Sequence, residues 1–161
     1  MSNRTVPESF DLDHTLVRAP YVRLAGTSTG SSGDVVSKYD LRLVQPNESE
    51  IPTASLHTIE HLFAGLLRDL LGERVIDASP MGCRTGFYLT LWGDLGEEEV
   101  RAAFVSALEA VAGHEGEVPG CSELECGNFR DHSLPGARAW AQRVLAHEVI
   151  VQPTIPIRRP A

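Results

Sequence analysis

Two histidines and a glutamate stand close together in the stretch 57-HTIEHLFAG-65. Residues three and four apart lie on one face of an α-helix, so His57, Glu60 and His61 would form one polar cluster. Two imidazoles one turn apart can bind one divalent metal ion, and a carboxylate beside them can move protons near it. The spacing favours a metal site, with three solvated side chains on an amphipathic helix as the alternative.

The cysteines offer the further ligand that such a site needs, because a tetrahedral catalytic centre takes three protein ligands and leaves one position open. Cys121 and Cys126 lie in a glycine-containing loop, and a thiolate from either would suit zinc or ferrous iron. A small buried side chain is the alternative, and it is favoured for Cys121. Cys83 lies in the turn 79-SPMGCRTG-86 beside Arg84, where an exposed thiol next to a cation is typical of a base or a nucleophile.

Periodic patterns predict the elements that would position these groups. Apolar residues from Leu56 to Leu70 recur at the spacing of a buried helical stripe, and Gly72 follows where a C-cap is usual. Strands are predicted at residues 21–25, 35–44, 74–78 and 87–92, and further helices at about 97–112 and 137–146. The tail 152–161 is too rich in proline for a helix. Together these elements predict an α+β fold without internal repeats.

The second predicted strand alternates between apolar and polar side chains. The apolar side chains of this strand, Tyr39, Leu41 and Leu43, would point to one face of the sheet. Its polar side chains, Lys38, Asp40 and Arg42, would point to the other. Arg42 could act on a nearby thiol or on a substrate oxygen, with an ordinary exposed sheet residue as the alternative. His14 could equally be a surface histidine or the hydrogen-bond anchor of a loop.

Composition excludes several classes of protein. A chain of 161 residues with 42% hydrophobic and 22% charged content fits one globular domain. It has no apolar run as long as a membrane span, and no apolar leader at the N-terminus, so we expect no membrane partner. An odd count of three cysteines favours the cytosol. The net charge of -8 argues against a nucleic-acid partner, which would need clustered lysine and arginine.

Five stretches in succession closely resemble the S-ribosylhomocysteine lyase (LuxS) family, and together they cover most of the chain. They are 8-ESFDLDHTLVRAPYVR-23, 38-KYDLRLVQPN-47, 56-LHTIEHLFAGLLR-68, 77-DASPMGCRTGFYLTL-91 and 125-ECGNFRDHSL-134. The resemblance implies one catalytic domain over residues 1–161. It also implies a two-layer sandwich, in which helices pack on one face of a mostly antiparallel β-sheet, as in LuxS and inverzincin-like metalloenzymes.

The resemblance also implies roles for single residues. Those that match the metal ligands of the family are His57, His61 and Cys126. The acid–base pair matches Glu60 and Cys83, and the residues lining the substrate pocket match Ser9, His14 and Arg42. Asp77, Ala78 and Tyr88 flank the Cys83 turn and would also be near the site. Cys121 matches no ligand, and we expect His114, His132 and His147 to be structural or surface residues.

The reaction of the family is the cleavage of S-ribosylhomocysteine to homocysteine and 4,5-dihydroxy-2,3-pentanedione, the autoinducer-2 precursor. Two aldose–ketose isomerisations and a β-elimination accomplish it with one divalent metal ion per subunit. Fe(II) is the implied native metal, and Zn or Co(II) are tolerated by the donor set. The family also implies a homodimer with active sites at the subunit interface. The N-terminal block with Ser9 and His14 has few apolar anchors, which would fit an arm ordered by the partner.

Two other functions fit parts of the pattern. A small inverzincin-type metallohydrolase, such as a peptidase, would use Glu60 to activate water, but it needs no Cys83 and usually takes a carboxylate as third ligand. A non-catalytic, zinc-stabilised module would need four ligands, and only Cys121 could complete that set.

Overall fold

Five strands and three α-helices make up the computed structural model, which describes residues 7–158. The strands are β1 Tyr21–Thr29, β2 Val35–Arg42, β3 Val75–Pro80, β4 Gly86–Trp92 and β5 Ile150–Val151. The helices are α1 Thr53–Leu71, α2 Glu97–Gly113 and α3 Leu134–Leu145, and short 3-10 turns cover Glu8–Phe10 and Gly72–Arg74. Within residues 7–158, no helix combines the length and the apolar character needed to cross a membrane.

The strands form one sheet in the order β3-β4-β2-β1-β5. The first four pair antiparallel, and the short β5 pairs parallel with β1 through Tyr21 and Ile150. The predicted α+β class with a mostly antiparallel sheet is therefore confirmed, with the qualification that the sheet is mixed at one edge.

The helices pack on one face of this sheet, as expected. Side chains at alternate positions of β2 and β4 are fully buried there, among them Tyr39, Leu41 and Phe87. Phe63 of α1 meets Phe87 with ring centroids 5.2 Å apart and lies 6.0 Å from the ring of Phe104 on α2. These contacts make the core that holds α1 against the sheet, and with it the face that carries the polar cluster.

The opposite face is covered in part by the two ends of the described chain. The segments 11–13 and 155–157 pair with each other, since the amide of Asp13 donates to the carbonyl oxygen of Ile155 and that of Ile157 to Asp11, each at 2.8 Å. Leu12 and Val17 are 1% and 2% exposed and pack against Tyr21. The N-terminal block, which was expected to have few apolar anchors, is therefore held within its own chain by these two side chains, while Phe10 and Leu16 remain exposed.

Several boundaries differ from the predicted ones for local reasons. β2 ends at Arg42 because the next two amides donate to the carbonyl oxygen of Thr85. α3 begins at Leu134, three residues earlier than predicted, because the Ser133 side chain caps it by accepting from the Gly136 amide. β1 extends into the Gly- and Ser-rich segment, where it remains paired with β2 as far as Thr29.

Candidate metal centre and the Cys83 cavity

The three predicted metal ligands come together at the N-terminal half of α1. His57 and His61 project from the helix, and Cys126 reaches them from the loop between α2 and α3. Their ligand atoms, together with one of His132, all lie within 4.8 Å of one another, and all four side chains are half-buried. The Sγ atom of Cys126 is 3.4 Å from Nε2 of His57. This group fits a divalent metal ion.

Backbone carbonyls orient the two helix histidines. Nδ1 of His57 lies 2.9 Å from the carbonyl oxygen of Asp131, and Nδ1 of His61 lies 2.7 Å from that of Pro119. A carbonyl only accepts, so each Nδ1 carries the hydrogen and each Nε2 keeps a free lone pair. Metal-binding histidines in proteins typically have such partners, which fix the tautomer and the direction of the ring.

His132, which we expected to be a structural or surface residue, also lies in this group. Its Nδ1 lies 3.1 Å from the hydroxyl oxygen of Thr58, which donates its own hydrogen to the carbonyl of Ala54. His132 is therefore the donor to Thr58, and its Nε2 faces Cys126 at 3.7 Å. Burial first, and the neighbouring imidazoles of His57 and His61 second, lower the pKa of His132. Its position six residues after Cys126, in 125-ECGNFRDHSL-134, was the available signal.

The orientation of its ring distinguishes His132 from the three predicted ligands. Its ring is stacked on that of His57, with centroids 3.9 Å apart and 26° between the planes. The lone pair of each Nε2 lies in the plane of its own ring. Because the two rings are stacked, the two lone pairs lie in nearly parallel planes, so these nitrogens are poorly placed to bind one ion together. Two imidazoles and a thiolate remain, a set that suits Zn, Fe(II) or Co(II) with an open position. Cys121 is outside the group, and its thiol donates to the carbonyl oxygen of Phe129 at 3.5 Å.

Glu60 lies next to the metal group, on the same helix. It is half-buried and lines a cavity of about 440 Å³ together with His61, Arg68, Asp77 and Ala78. A carboxylate here can exchange protons with a molecule held beside His61. The cavity also contains two of the residues that flank the Cys83 turn in the sequence, whereas Cys83 itself does not line it.

Cys83 lies in a second cavity, of about 490 Å³, which His14, Arg42 and Thr85 also line. The rest of its wall comes from residues 46–50, just before α1. The structure thus brings together Cys83 and two of the three predicted substrate-binding residues. The third, Ser9, is in the 3-10 turn Glu8–Phe10 and lines neither cavity.

The turn that carries Cys83 is held tightly by backbone contacts. The amide of Met81 donates to the carbonyl oxygen of Gly86, and the amide of Arg84 donates to that of Met81. Arg84 has a φ of 60°, and its guanidinium points towards Glu50, 3.5 Å away. A side chain at Gly86 would overlap the carbonyl oxygen of Leu41, so only glycine lets β4 approach β2 this closely.

Arg42 is buried, so its alternative interpretation as an exposed sheet residue is wrong. It is 2% exposed, and its Nε and Nη2 donate to the carboxylate of Asp40, which is fully buried. The same carboxylate accepts from Arg23 and from the hydroxyl of Tyr21. Burial opposes the charge of Arg42, but the neighbouring Asp40 outweighs this effect and raises the pKa of Arg42. A permanently charged guanidinium therefore stands at the wall of the Cys83 cavity.

The two predicted proton-transfer residues occupy separate places in a single chain. Glu60 is beside the metal group, and Cys83 is beside Arg42 and His14. The cavities that the two residues line have no lining residue in common. Glu60 and Cys83 thus lie in two different cavities of one chain.

Comparison with known proteins gives a uniform result. A family model described as S-Ribosylhomocysteinase (LuxS) matches residues 7–154. An S-ribosylhomocysteine lyase of Thermus thermophilus is 63% identical over 150 residues, which are 93% of this chain and 96% of the relative. The enzyme of the same name from Deinococcus deserti is 58% identical over 152 residues, covering 94% and 97%. That of Pediococcus pentosaceus is 55% identical over 148 residues, covering 91% and 94%.

Proposed function

Because the chain belongs to the S-ribosylhomocysteinase (LuxS) family, we propose that it is a metal-dependent carbon–sulfur lyase that cleaves S-ribosylhomocysteine to homocysteine and 4,5-dihydroxy-2,3-pentanedione. The observation that carries this proposal is the metal-binding group beside Glu60. His57, His61 and Cys126 bring their donor atoms together in a chain that matches the family over nearly all of its described part.

We propose that His57, His61 and Cys126 hold one divalent ion, and that Fe(II) is the native one, with Zn and Co(II) as substitutes. The soft thiolate and the two imidazoles support this choice. The bound ion would serve as a Lewis acid that polarises the sugar oxygens during the isomerisations. His132 stacks on His57 and holds the ring of that ligand in place.

The thioether on C5 of the ribose leaves readily only when a carbonyl stands at C3, because the proton on C4 is then acidic. The carbonyl must first move from C1 to C2 and then to C3. In the proposed first step, Sγ of Cys83, as thiolate, takes the proton from C2 and returns it at C1. The exposed position of this thiol in a cavity with a buried cation supports the assignment.

Glu60 would perform the later proton transfers. Its carboxylate takes the proton from C3, returns it at C2, and finally removes the proton from C4 as the homocysteine sulfur leaves C5. Its position beside His61 supports this role, because a carboxylate there is within reach of a molecule held next to the metal group. Cys83→Ala with undiminished turnover would contradict this division of the steps.

Arg42 and His14 are proposed to bind the substrate from the wall of the Cys83 cavity. Arg42 donates Nη1 to Thr85 and the rest of its fork to Asp40, so it acts as a fixed charge rather than a mobile clamp. His14 is oriented by a contact of its Nδ1 with the carbonyl oxygen of Leu12, at 2.9 Å. The role of Ser9 rests on the family resemblance alone.

We propose a homodimer in which the Glu60 cavity and the Cys83 cavity are two halves of one active site. In a dimer with twofold symmetry, a residue of one subunit that contacts a second residue of the partner is matched by the reciprocal contact. The Glu60 cavity of each subunit can therefore face the Cys83 cavity of the other. The separation of these cavities within one chain supports this arrangement. We further propose one catalytic domain over residues 1–161 and a cytosolic location, which the three free thiols support.

The test of the function is anaerobic turnover of S-ribosylhomocysteine by the Fe(II)-loaded protein, with released homocysteine measured by a thiol reagent. We expect release by the wild type and its loss after chelation. Glu60→Gln is the matched control, because it keeps the size of the side chain and removes the carboxylate. The absence of release from folded, metal-loaded protein would overturn the proposal, and a screen of peptide substrates would follow.

A further inference from the structure

One hydroxyl group joins the buried cation to the thiol in the Cys83 cavity. Nη1 of Arg42 donates to Oγ1 of Thr85 over 2.6 Å, and the same Oγ1 lies 3.1 Å from Sγ of Cys83. We propose that Thr85 is a positioning residue that stabilises the thiolate of Cys83 by donating to it while it accepts from Arg42. The inference deepens the proposed function, on which its catalytic meaning rests.

The chemistry of the three groups sets the direction of the hydrogen bonds. A guanidinium can only donate, so Oγ1 of Thr85 is the acceptor from Arg42. The single hydrogen of the hydroxyl is then available to Sγ of Cys83, and a thiolate can only accept it. Charge-assisted hydrogen bonds in a row polarise one another, so the cation makes the hydroxyl a stronger donor.

The surroundings hold this hydroxyl in place. Thr85 is 4% exposed, and its carbonyl oxygen accepts from the amides of Leu43 and Val44 at 2.9 and 3.2 Å. Arg42 cannot turn away, because two of its other nitrogens bond the buried carboxylate of Asp40. The hydroxyl of Thr85 is therefore already in position to donate to the thiolate when the proton leaves Sγ of Cys83.

Arg84, the cation that the sequence places beside Cys83, has a different partner. Its guanidinium is directed to Glu50, and no hydrogen bond joins it to the thiol within the described residues. We therefore infer that the cation acting on Cys83 is Arg42 and not its sequence neighbour Arg84. Arg42 acts on the thiol through Thr85.

The test uses the full-length, metal-loaded protein with two replacements of Thr85. Thr85→Val keeps the shape of the side chain and removes the hydroxyl, whereas Thr85→Ser keeps the hydroxyl. The rate at which iodoacetamide alkylates Cys83 is measured against pH by mass spectrometry of the Cys83 peptide, because the thiolate is the reacting form. Alkylation of Cys121, which lies in another loop, is the internal reference for general unfolding.

For Thr85→Val we expect the alkylation rate of Cys83, compared below the pH of half-maximal rate, to fall roughly tenfold, as for the loss of a hydrogen bond to a charged group. The pH of half-maximal rate moves upwards by about one unit, the equivalent of that change. Thr85→Ser returns the profile to that of the wild type, and Cys121 is unchanged in both proteins.

A Thr85→Val profile that superimposes on the wild-type profile would overturn the inference. So would a Thr85→Ser profile that matches valine, because packing and not the hydroxyl would then be the cause. If the valine protein does not fold, Thr85→Ala provides the same comparison without a methyl group against Arg42. Since alkylation requires no turnover, its outcome is independent of whether the protein releases homocysteine.

Discussion

The ring of His132 lies stacked on the ring of His57, with 3.9 Å between centroids. His57 is held from two sides, by this ring and by the carbonyl oxygen of Asp131. We expect a ligand held in this way to lose little freedom when it binds an ion, and so to raise the affinity of the proposed site without a further metal bond.

Replacement of His132 separates this supporting role from direct ligation. We expect His132→Ala to weaken Zn(II) binding by about tenfold, the usual effect of losing a residue that orients a ligand. His132→Phe retains the stacked ring and weakens binding less. Competition with a chromophoric chelator measures the affinity, and His57→Ala is the reference for loss of a true ligand. If His132→Ala were as damaging as His57→Ala, His132 would be a ligand itself.

Mixing of two inactive variants tests the proposed shared site. We expect neither Cys83→Ala nor Glu60→Ala to turn over S-ribosylhomocysteine alone. If each site combines Cys83 of one subunit with Glu60 of the other, a mixed dimer has one intact site of two, so random exchange restores about one quarter of wild-type activity. The measurement is homocysteine release after subunit exchange in mild denaturant. Continued inactivity of a mixture shown to contain mixed dimers would place both residues in a site within one chain.

Asp40 is expected to be essential for stability. It is fully buried and accepts from two guanidinium groups, so Asp40→Ala would leave Arg23 and Arg42 charged without their acceptor. We expect the free energy of unfolding to fall by about 3–5 kcal/mol, as for other buried ion pairs broken on one side. The control is Glu98→Ala, which removes the exposed pair with Arg101 and should cost less than about 1 kcal/mol. Urea unfolding measures both, and equal losses would contradict the role of Asp40.

Gly82 lies in the turn and Gly86 is the first residue of β4, and the two differ in the space around them. A Cβ atom at Gly86 would overlap the backbone of β2, whereas one at Gly82 meets no heavy atom within 4 Å. We expect Gly86→Ala to lower the free energy of unfolding by about 1–3 kcal/mol and to reduce kcat, because β4 and Thr85 must shift. Gly82→Ala should stay within about 0.5 kcal/mol of the wild type. The measurements are the unfolding midpoints and the turnover of the two variants. If Gly86→Ala were as stable and as active as the wild type, the sheet would be able to relax at this position and the prediction would be wrong.

Local periodicity was sufficient to predict the helix with the metal ligands. His57, Glu60 and His61 share a face because of helix geometry alone, and the apolar stripe beneath them marks the side that packs on the sheet. The strand β2 was predicted for the same reason, since the alternation of its apolar and polar side chains depends only on neighbouring residues.

The features that were missed depend on contacts between distant parts of the chain. His132 joins the metal group because the loop after α2 folds back onto α1, which no periodic pattern records. Arg42 was correctly placed on the polar side of its strand, but its burial depends on Asp40, Thr85 and the turns that surround them. Proximity in sequence was misleading for Arg84, whose side chain pairs with Glu50.

The pairing of the segments 11–13 and 155–157 has a consequence for the order of folding. Contacts between residues so far apart in sequence close a loop that includes nearly the whole described chain, and such closure is entropically costly until the intervening elements have formed. We therefore expect the sheet and its helices to form first and the two ends to join afterwards. His14 follows directly on this pairing. We therefore expect its side of the Cys83 cavity to form late in folding and to be lost first when the two ends separate.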